Sequence, residues 1–290
     1  GKVPGDTAAA VSAVGMTNQP MFLGLSLIQA LNVGGTAIIA RYFGAKKYNR
    51  MGSILKHVMI LAMVFCVMPA AILMLIFAPE ILSLMGADET VINVGLNYFR
   101  IVTIGFIFQS LSFTVTAALR GIGETKIPMK NNIIANSCNV LGNAILIYGM
   151  FGFPALGVTG AAISTALSNL IAMVLNVRYI LSGKSVLKLD FKEKFEFSVD
   201  VMRDLVRIGI PTALEQMALR FGVIMFLRIV SGLGNNVYAA HQIALNVLSL
   251  SYSPAQAFGI TASSLMGQSL GAKDEKLAER YTKLCQRMGL

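Results

Sequence analysis

Glu215 is the residue with the clearest capacity for chemistry, because it is the one carboxylate set within a long apolar stretch of this chain. Eight residues separate it from Arg207, which on a helix is about 12 Å of rise. At that depth in a membrane an ionised carboxylate is costly, so it must be protonated or matched by a cation. Burial favours the protonated form and a bound cation the ionised one, so a proton, a sodium ion and a cationic ligand would compete for one charge. Such competition is the chemistry of ion exchange. A structural pair with Arg220 is the other reading, but residues five apart on a helix point about 140° away from each other.

Arg220 is a permanent cation at a similar depth. It would repel cationic ligands unless an acid from another helix faces it, which leaves a charge-balancing role and direct substrate contact as its two readings. Arg100 and Arg228 lie near the outer ends of their stretches and can snorkel to the headgroups. Asn136, Asn139 and Asn143 recur at helical spacing and share a face. That face can bond to a neighbouring helix, line a water-filled cavity or ligate sodium through amide oxygens. His241 can titrate near neutral pH or serve as a hydrogen-bonded structural residue. Gln109, Gln242 and Gln256 fit cavity lining and helix pairing equally well.

The elements that position these groups follow from composition. Hydrophobic residues make up 55% of the sequence and charged residues only 13%, and the mean hydropathy is +0.68. Soluble domains carry about one-quarter charged residues, so this is an all-α membrane protein, a polytopic helical bundle. The net charge of +10 raises the possibility of nucleic acid, yet the basic residues form no stripe interleaved with aromatics. Cys66, Cys138 and Cys285 have neither metal-ligand spacing nor an even count, so they imply no disulfide framework. Metalloprotease HExxH, nucleophile-elbow GxSxG and nucleotide-binding P-loop patterns are all absent from the sequence, which argues against those enzymes and against ATP-driven transport on this chain.

Stretches long enough to span a bilayer run over 8–41, 54–78, 91–119, 127–148, 156–181, 203–230 and 237–269. Lysine and arginine test that count, because they collect in short cytoplasmic loops. Apart from Lys2, Arg100, Arg220 and Arg228, every basic residue falls around the first, third and fifth connections or after the seventh stretch. The second, fourth and sixth connections hold none. This alternation supports seven helices and a cytoplasmic C-terminal end.

An ungapped repeat lays residues 5–46 on 232–273. It pairs Gly5 with Gly232, Ala13 with Ala240, Leu23 with Leu250, Ser26 with Ser253, Gln29 with Gln256 and Ala30 with Ala257. It ends on a shared GAK at 44–46 and 271–273. The first and seventh helices run in the same direction, so the halves are parallel copies about an axis along the membrane normal. Each half then has six helices, of which this chain holds five of the first and two of the second. One helix is expected before Gly1 and about four after Leu290. The expected organisation is a first lobe at 1–183, a cytoplasmic linker at 184–202 and the start of a second lobe at 203–290. The linker's apolar residues alternate with charges, which suits either a segment lying along the membrane interface or a solvated loop.

Four stretches then resemble the multidrug and toxic compound extrusion transporters. They are AALRGIGETKIP at 117–128, FGFPALGVTGAAISTALSN at 151–169, IGIPTALEQ at 208–216, and AAHQIA at 239–244 followed by SSLMGQSLGAKD at 263–274. The resemblance implies two six-helix lobes facing a central cavity, and export of cationic amphipathic compounds in exchange for sodium ions or protons, without a cofactor. It ties Glu215 to cation binding, with Na+ as a possible ligand. It also places Asn139 and Asn143 at a cation site of the first lobe, where Asn143 stands in for an aspartate of some members and puts proton coupling through that lobe in question. Glu215, Asn139, Asn143, Gln256 and Arg220 are therefore the candidate cation- and substrate-binding residues. The expected setting is a monomer in the cell (inner) membrane, with small cationic substrates and the lipid bilayer as partners. A flippase of lipid-linked saccharides, which would line its cavity with several cations, and a non-transporting structural subunit are the alternatives.

Overall fold

A chain that crosses hydrocarbon must satisfy its own backbone hydrogen bonds, and helices do so within one segment. The computed structural model describes residues 7–85, 87, 89–152, 154–189, 198–232 and 235–289, and among these helix is the only regular structure. The long elements are α1 (Thr7–Gly44), α2 (Tyr48–Ile60) continuing through a π-helical stretch (Leu61–Val67) into α3 (Met68–Ile76), and α5 (Glu89–Gly121). They are followed by α6 (Lys126–Tyr148), α7 (Gly157–Leu181), α8 (Val199–Gly232) and α9 (Asn235–Gly271). Two short helices complete the set, α4 (Ala78–Leu84) and α10 (Glu275–Gly289).

All seven expected stretches are helical. By length and composition, however, four of them qualify as membrane spans among the described residues: Pro20–Gly44, Tyr48–Ile76, Val91–Gly121 and Gly157–Leu181. Polar content explains the shortfall. The helix α6 carries five asparagines and two lysines, α8 carries several charges, and α9 is rich in serine and glutamine. Such side chains are tolerated in a span where they face another helix or a water-filled cavity.

The π-helical stretch has a local cause in Pro69. A proline ring clashes with the carbonyl four residues back and lacks an N–H, so the helix must widen or kink just upstream. Here it widens, and the Met68 N–H bonds the Met63 carbonyl, five residues back. Pro20 and Pro254 instead sit inside continuous helices.

Lipid tails are as apolar as leucine, so these helices associate through close packing and interhelical hydrogen bonds. The helix α5 lies at the centre, packed against α1 and α7. Toward its N-terminal end it buries Phe99 and Phe106 with Met21, Ile28, Val67 and Met74. Toward its C-terminal end Val115 and Leu119 meet Ile38, Met51, Leu55, Ile180 and Leu205. Hydroxyls within α5 donate to carbonyls four residues back, Thr103 to Phe99 at 2.8 Å and Ser110 to Phe106 at 2.6 Å. This lets them sit buried without an orphan donor.

In its described part the linker packs on the helix bundle rather than standing free as a solvated loop. Leu187 and Leu189 are buried in the inner core, while Val186 and Lys188 face outward. Alternating chemistry therefore matched a strap over α2, where Gly52 leaves room for the Lys188 carbonyl. Buried His57 anchors its far end. The Nδ1 atom lies 2.7 Å from the Ser53 carbonyl and Nε2 accepts from the Ser198 N–H at 2.9 Å, a pairing that requires the Nδ1–H tautomer. Because α8 begins at Val199, residues 199–202 belong to that helix rather than to the linker. Residues 190–197 lie outside the described set.

The repeat is visible in the backbone. At the end of α1, Ala45 bonds Arg41, Lys46 bonds Phe43 and Lys47 bonds Tyr42. At the end of α9, Ala272 bonds Gln268, Lys273 bonds Leu270 and Asp274 bonds Ser269. Lys46 and Lys273 both adopt left-handed conformations, with φ of 57° and 61°. The short helix α10 stands where α2 stands in the first copy, and buried Ala278 and Cys285 take the register of buried Met51 and Val58. Sequence scanning for long apolar stretches passed over α10 because four cations dilute it.

Candidate functional site

Two clusters of candidate residues emerge, in different helix pairs. The first lies between α6 and α7. The Asn143 Nδ2 donates to the Asn139 Oδ1 at 3.2 Å, and the Asn139 Nδ2 reaches the Ser164 and Thr165 hydroxyls at 3.4 Å each. The Ser164 hydroxyl donates in turn to the Asn139 carbonyl at 2.9 Å. Spacing of four residues put the asparagines on one face, while Gly142 admits Ser164 between the helices. The Asn143 Oδ1 is buried with no hydrogen-bond partner. A buried amide oxygen without a donor is costly, and a small hard cation is the kind of ligand that oxygens of this type satisfy. Asn136, the third asparagine of the expected face, is exposed.

The second group is carried by α8 and α9. The helix α8 runs antiparallel to α1, since Gly34 meets Leu205 and Ile208, Gly209 meets Leu31, and Arg220 meets Phe22. Glu215 projects from the exposed side of α8, among the exposed residues Leu214, Met217 and Leu219. No ion pair joins it to Arg220 among the described residues. The Arg220 guanidinium instead lies 5.5 Å from the centre of the Phe22 ring, a cation–π arrangement. Gln256 is exposed on α9, two residues beyond Pro254. The structure thus brings Asn139 and Asn143 together and leaves Glu215, Arg220 and Gln256 without hydrogen bonds to one another. The side chains of His241, Gln242 and Arg228 lie outside the described residues.

Sequence reasoning missed a buried network that ties three helices together. The Asn131 Nδ2 donates to the Asn176 Oδ1 at 2.8 Å, and the Asn176 Nδ2 donates to the Ser112 hydroxyl at 2.9 Å and approaches that of Thr116 at 3.3 Å. The network fixes α6 and α7 on α5 and so sets where Asn139 and Asn143 stand. Asparagines in apolar stretches were the available signal. Ser164 and Thr165 gave none on their own.

Long apolar helices packed by small residues, with polar groups carried within them, define a multi-pass helical membrane protein. The family model described as MatE matches residues 6–145 and 211–290, and the chain belongs to that family of transporters. It is 31% identical to the probable multidrug resistance protein YoeA of Bacillus subtilis over 91% of this chain, and 29% identical to the probable multidrug resistance protein NorM of Thermotoga maritima over 92%. The chain spans 58% of the length of each of these relatives. A crystal structure of MATE in complex with MaD3S shares the fold, with a TM-score of 0.86 at 23% identity, covering 99% of this chain and 64% of the other.

Proposed function

We propose that this chain forms part of a cation-coupled antiporter of the cell (inner) membrane that exports cationic amphipathic compounds by alternating access. Residues 1–183 supply most of one lobe, 184–198 the linker, and the residues from Val199 onward the beginning of the second lobe. The similarity to probable multidrug resistance proteins supports small molecules as the exported substrate class. Exposed faces of α8 and α9 are then the surfaces that the further helices of those longer relatives would cover.

Glu215 is the observation that carries the coupling. It is an exposed carboxylate beside the apolar side chains Leu214, Met217 and Leu219, and among the described residues no ion pair joins it to Arg220 of the same helix. A membrane protein keeps such a group ionised only by binding a positive charge, so sodium ion, proton and cationic substrate become mutually exclusive occupants. The Asn139 and Asn143 cluster offers a second ion position built from neutral oxygens. Those oxygens carry no titrating carboxylate, so this position favours a metal cation over a proton. Competition binding tests the reading on the full-length protein in detergent. Raising sodium or lowering pH should weaken binding of a fluorescent cationic dye, and Glu215→Gln should remove that dependence. Dye binding that ignores both ions in the wild-type protein would refute it.

A further inference from the structure

We infer that Ser264 and Gln268 of α9 form the latch of the cytoplasmic gate by capping the end of α5. This rests on the alternating-access reading above, which assigns α5 and α9 to different lobes. The helix α5 stops because Gly123 adopts φ of 84°, and the turn closes with the Gly123 N–H on the Arg120 carbonyl and the Glu124 N–H on the Leu119 carbonyl. The last carbonyls of a helix lack intrahelical donors; the turn serves those of Leu119 and Arg120, and α9 serves that of Gly121 and adds a second donor at Arg120. The Gln268 Nε2 donates to the Gly121 carbonyl at 2.8 Å, and the Ser264 hydroxyl is shared between the Arg120 carbonyl at 2.8 Å and that of Gly121 at 3.2 Å.

Close packing surrounds these bonds. A Cβ added at Gly44 would overlap the Gln268 carbonyl, and one added at Gly271 would overlap the Arg41 carbonyl. Residues 41 and 268 are equivalent under the repeat, as are 44 and 271, so the two contacts mirror each other about a local two-fold axis. Gly267 and Ala40 are also equivalent, and they lie on the axis. A Cβ at Gly267 would sit 2.9 Å from that of Ala40, which is fully buried. These contacts gather at the lysine-rich, cytoplasmic ends of α1 and α9. Residues 247–257 of α9, farther from that end, are exposed. Opening a path to the cytoplasm therefore means parting this contact.

The backbone symmetry is not matched by the chemistry. The repeat partners of Ser264 and Gln268 are Ala37 and Arg41, so the serine and the glutamine amide that cap α5 are not repeated in α1. The latch therefore belongs to α9, and its loss should free the gate without disturbing the glycine packing.

Cross-linking of the full-length transporter in membrane vesicles tests this. In a cysteine-free background, Ala40→Cys with Gly267→Cys should join under a mild oxidant once the two Cβ atoms part from 2.9 Å to the roughly 3.5–4.5 Å that a disulfide spans. Joining should cut gradient-driven flux and downhill flux at least tenfold, and a reductant should restore both. The second readout uses Ala40→Cys alone, where Ser264→Ala with Gln268→Leu should raise labelling by an impermeant cytoplasmic maleimide about tenfold, the change expected for two lost hydrogen bonds. Failure to cross-link, undiminished flux in the cross-linked carrier, or an unchanged labelling rate would each overturn the latch. Downhill flux needs no ion coupling, so these outcomes stay readable even where the coupling proposal fails.

Discussion

Asn176 shows what a single polar side chain does in this bundle. It is wholly buried and bonds to two other helices at once. Truncating it strands the Asn131 amide, and an unsatisfied buried group costs about 1–3 kcal/mol. Asn176→Ala should lower the thermal midpoint of the full-length protein in detergent by several degrees. Replacing Asn131 and Asn176 together by leucine should cost less than that, because the Asn131 amide is no longer stranded and only the Ser112 and Thr116 hydroxyls lose a donor; a larger loss in the double variant would contradict the network. At this scale the sequence revealed the groups whose oddity lies in their own chemistry. Glu215 and the asparagines of α6 stood out against apolar neighbours. Asn176, Ser164 and Thr165 did not, since their roles depend on which helix lies opposite, and that is a property of packing.

Helices were legible to within a few residues because a 20-residue apolar stretch has few other options in a bilayer. Features that depend on local exceptions were not. The π-helical stretch follows from Pro69, whose effect falls upstream of the proline, and its choice over a kink depends on neighbours. The linker's alternation was visible, yet its partner surface on α2 was not, so burial of Leu187 and Leu189 came only with the structure. Gly44 and Gly271 were legible as a repeated GAK, although the reason for glycine was not. Both are sites where two backbones touch, so a side chain would have to push the helices apart. Gly44→Val and Gly271→Val should each destabilise the protein by about 1–3 kcal/mol, the usual range for overpacking. Valine at Gly15 or Gly222, where a Cβ meets nothing within 4 Å, should cost less, and thermal unfolding of the four variants side by side makes the comparison. Equal losses at all four positions would show that helix propensity, rather than contact, sets the requirement.

For the molecule as a whole, charge alternation and the repeat carried most of the architecture. Lysines gather at alternate connections, the shared GAK marks two equivalent helix ends, and the two ends meet in the structure. Composition alone undercounted the spans, because α6, α8 and α9 carry the polar groups that a transporter needs at depth. Those same helices hold every candidate cation and substrate residue. The site was thus legible as types of residue on particular helices, while the structure gives Glu215, Arg220 and Gln256 no hydrogen bonds to one another. Efflux from proteoliposomes holding the full-length protein tests the central claim most directly. A fluorescent cation loaded inside should leave faster when a sodium or proton gradient is imposed, and Glu215→Gln should abolish that acceleration while the protein remains folded. Efflux that is indifferent to both gradients, or a Glu215→Gln variant that responds as the wild type does, would contradict the account.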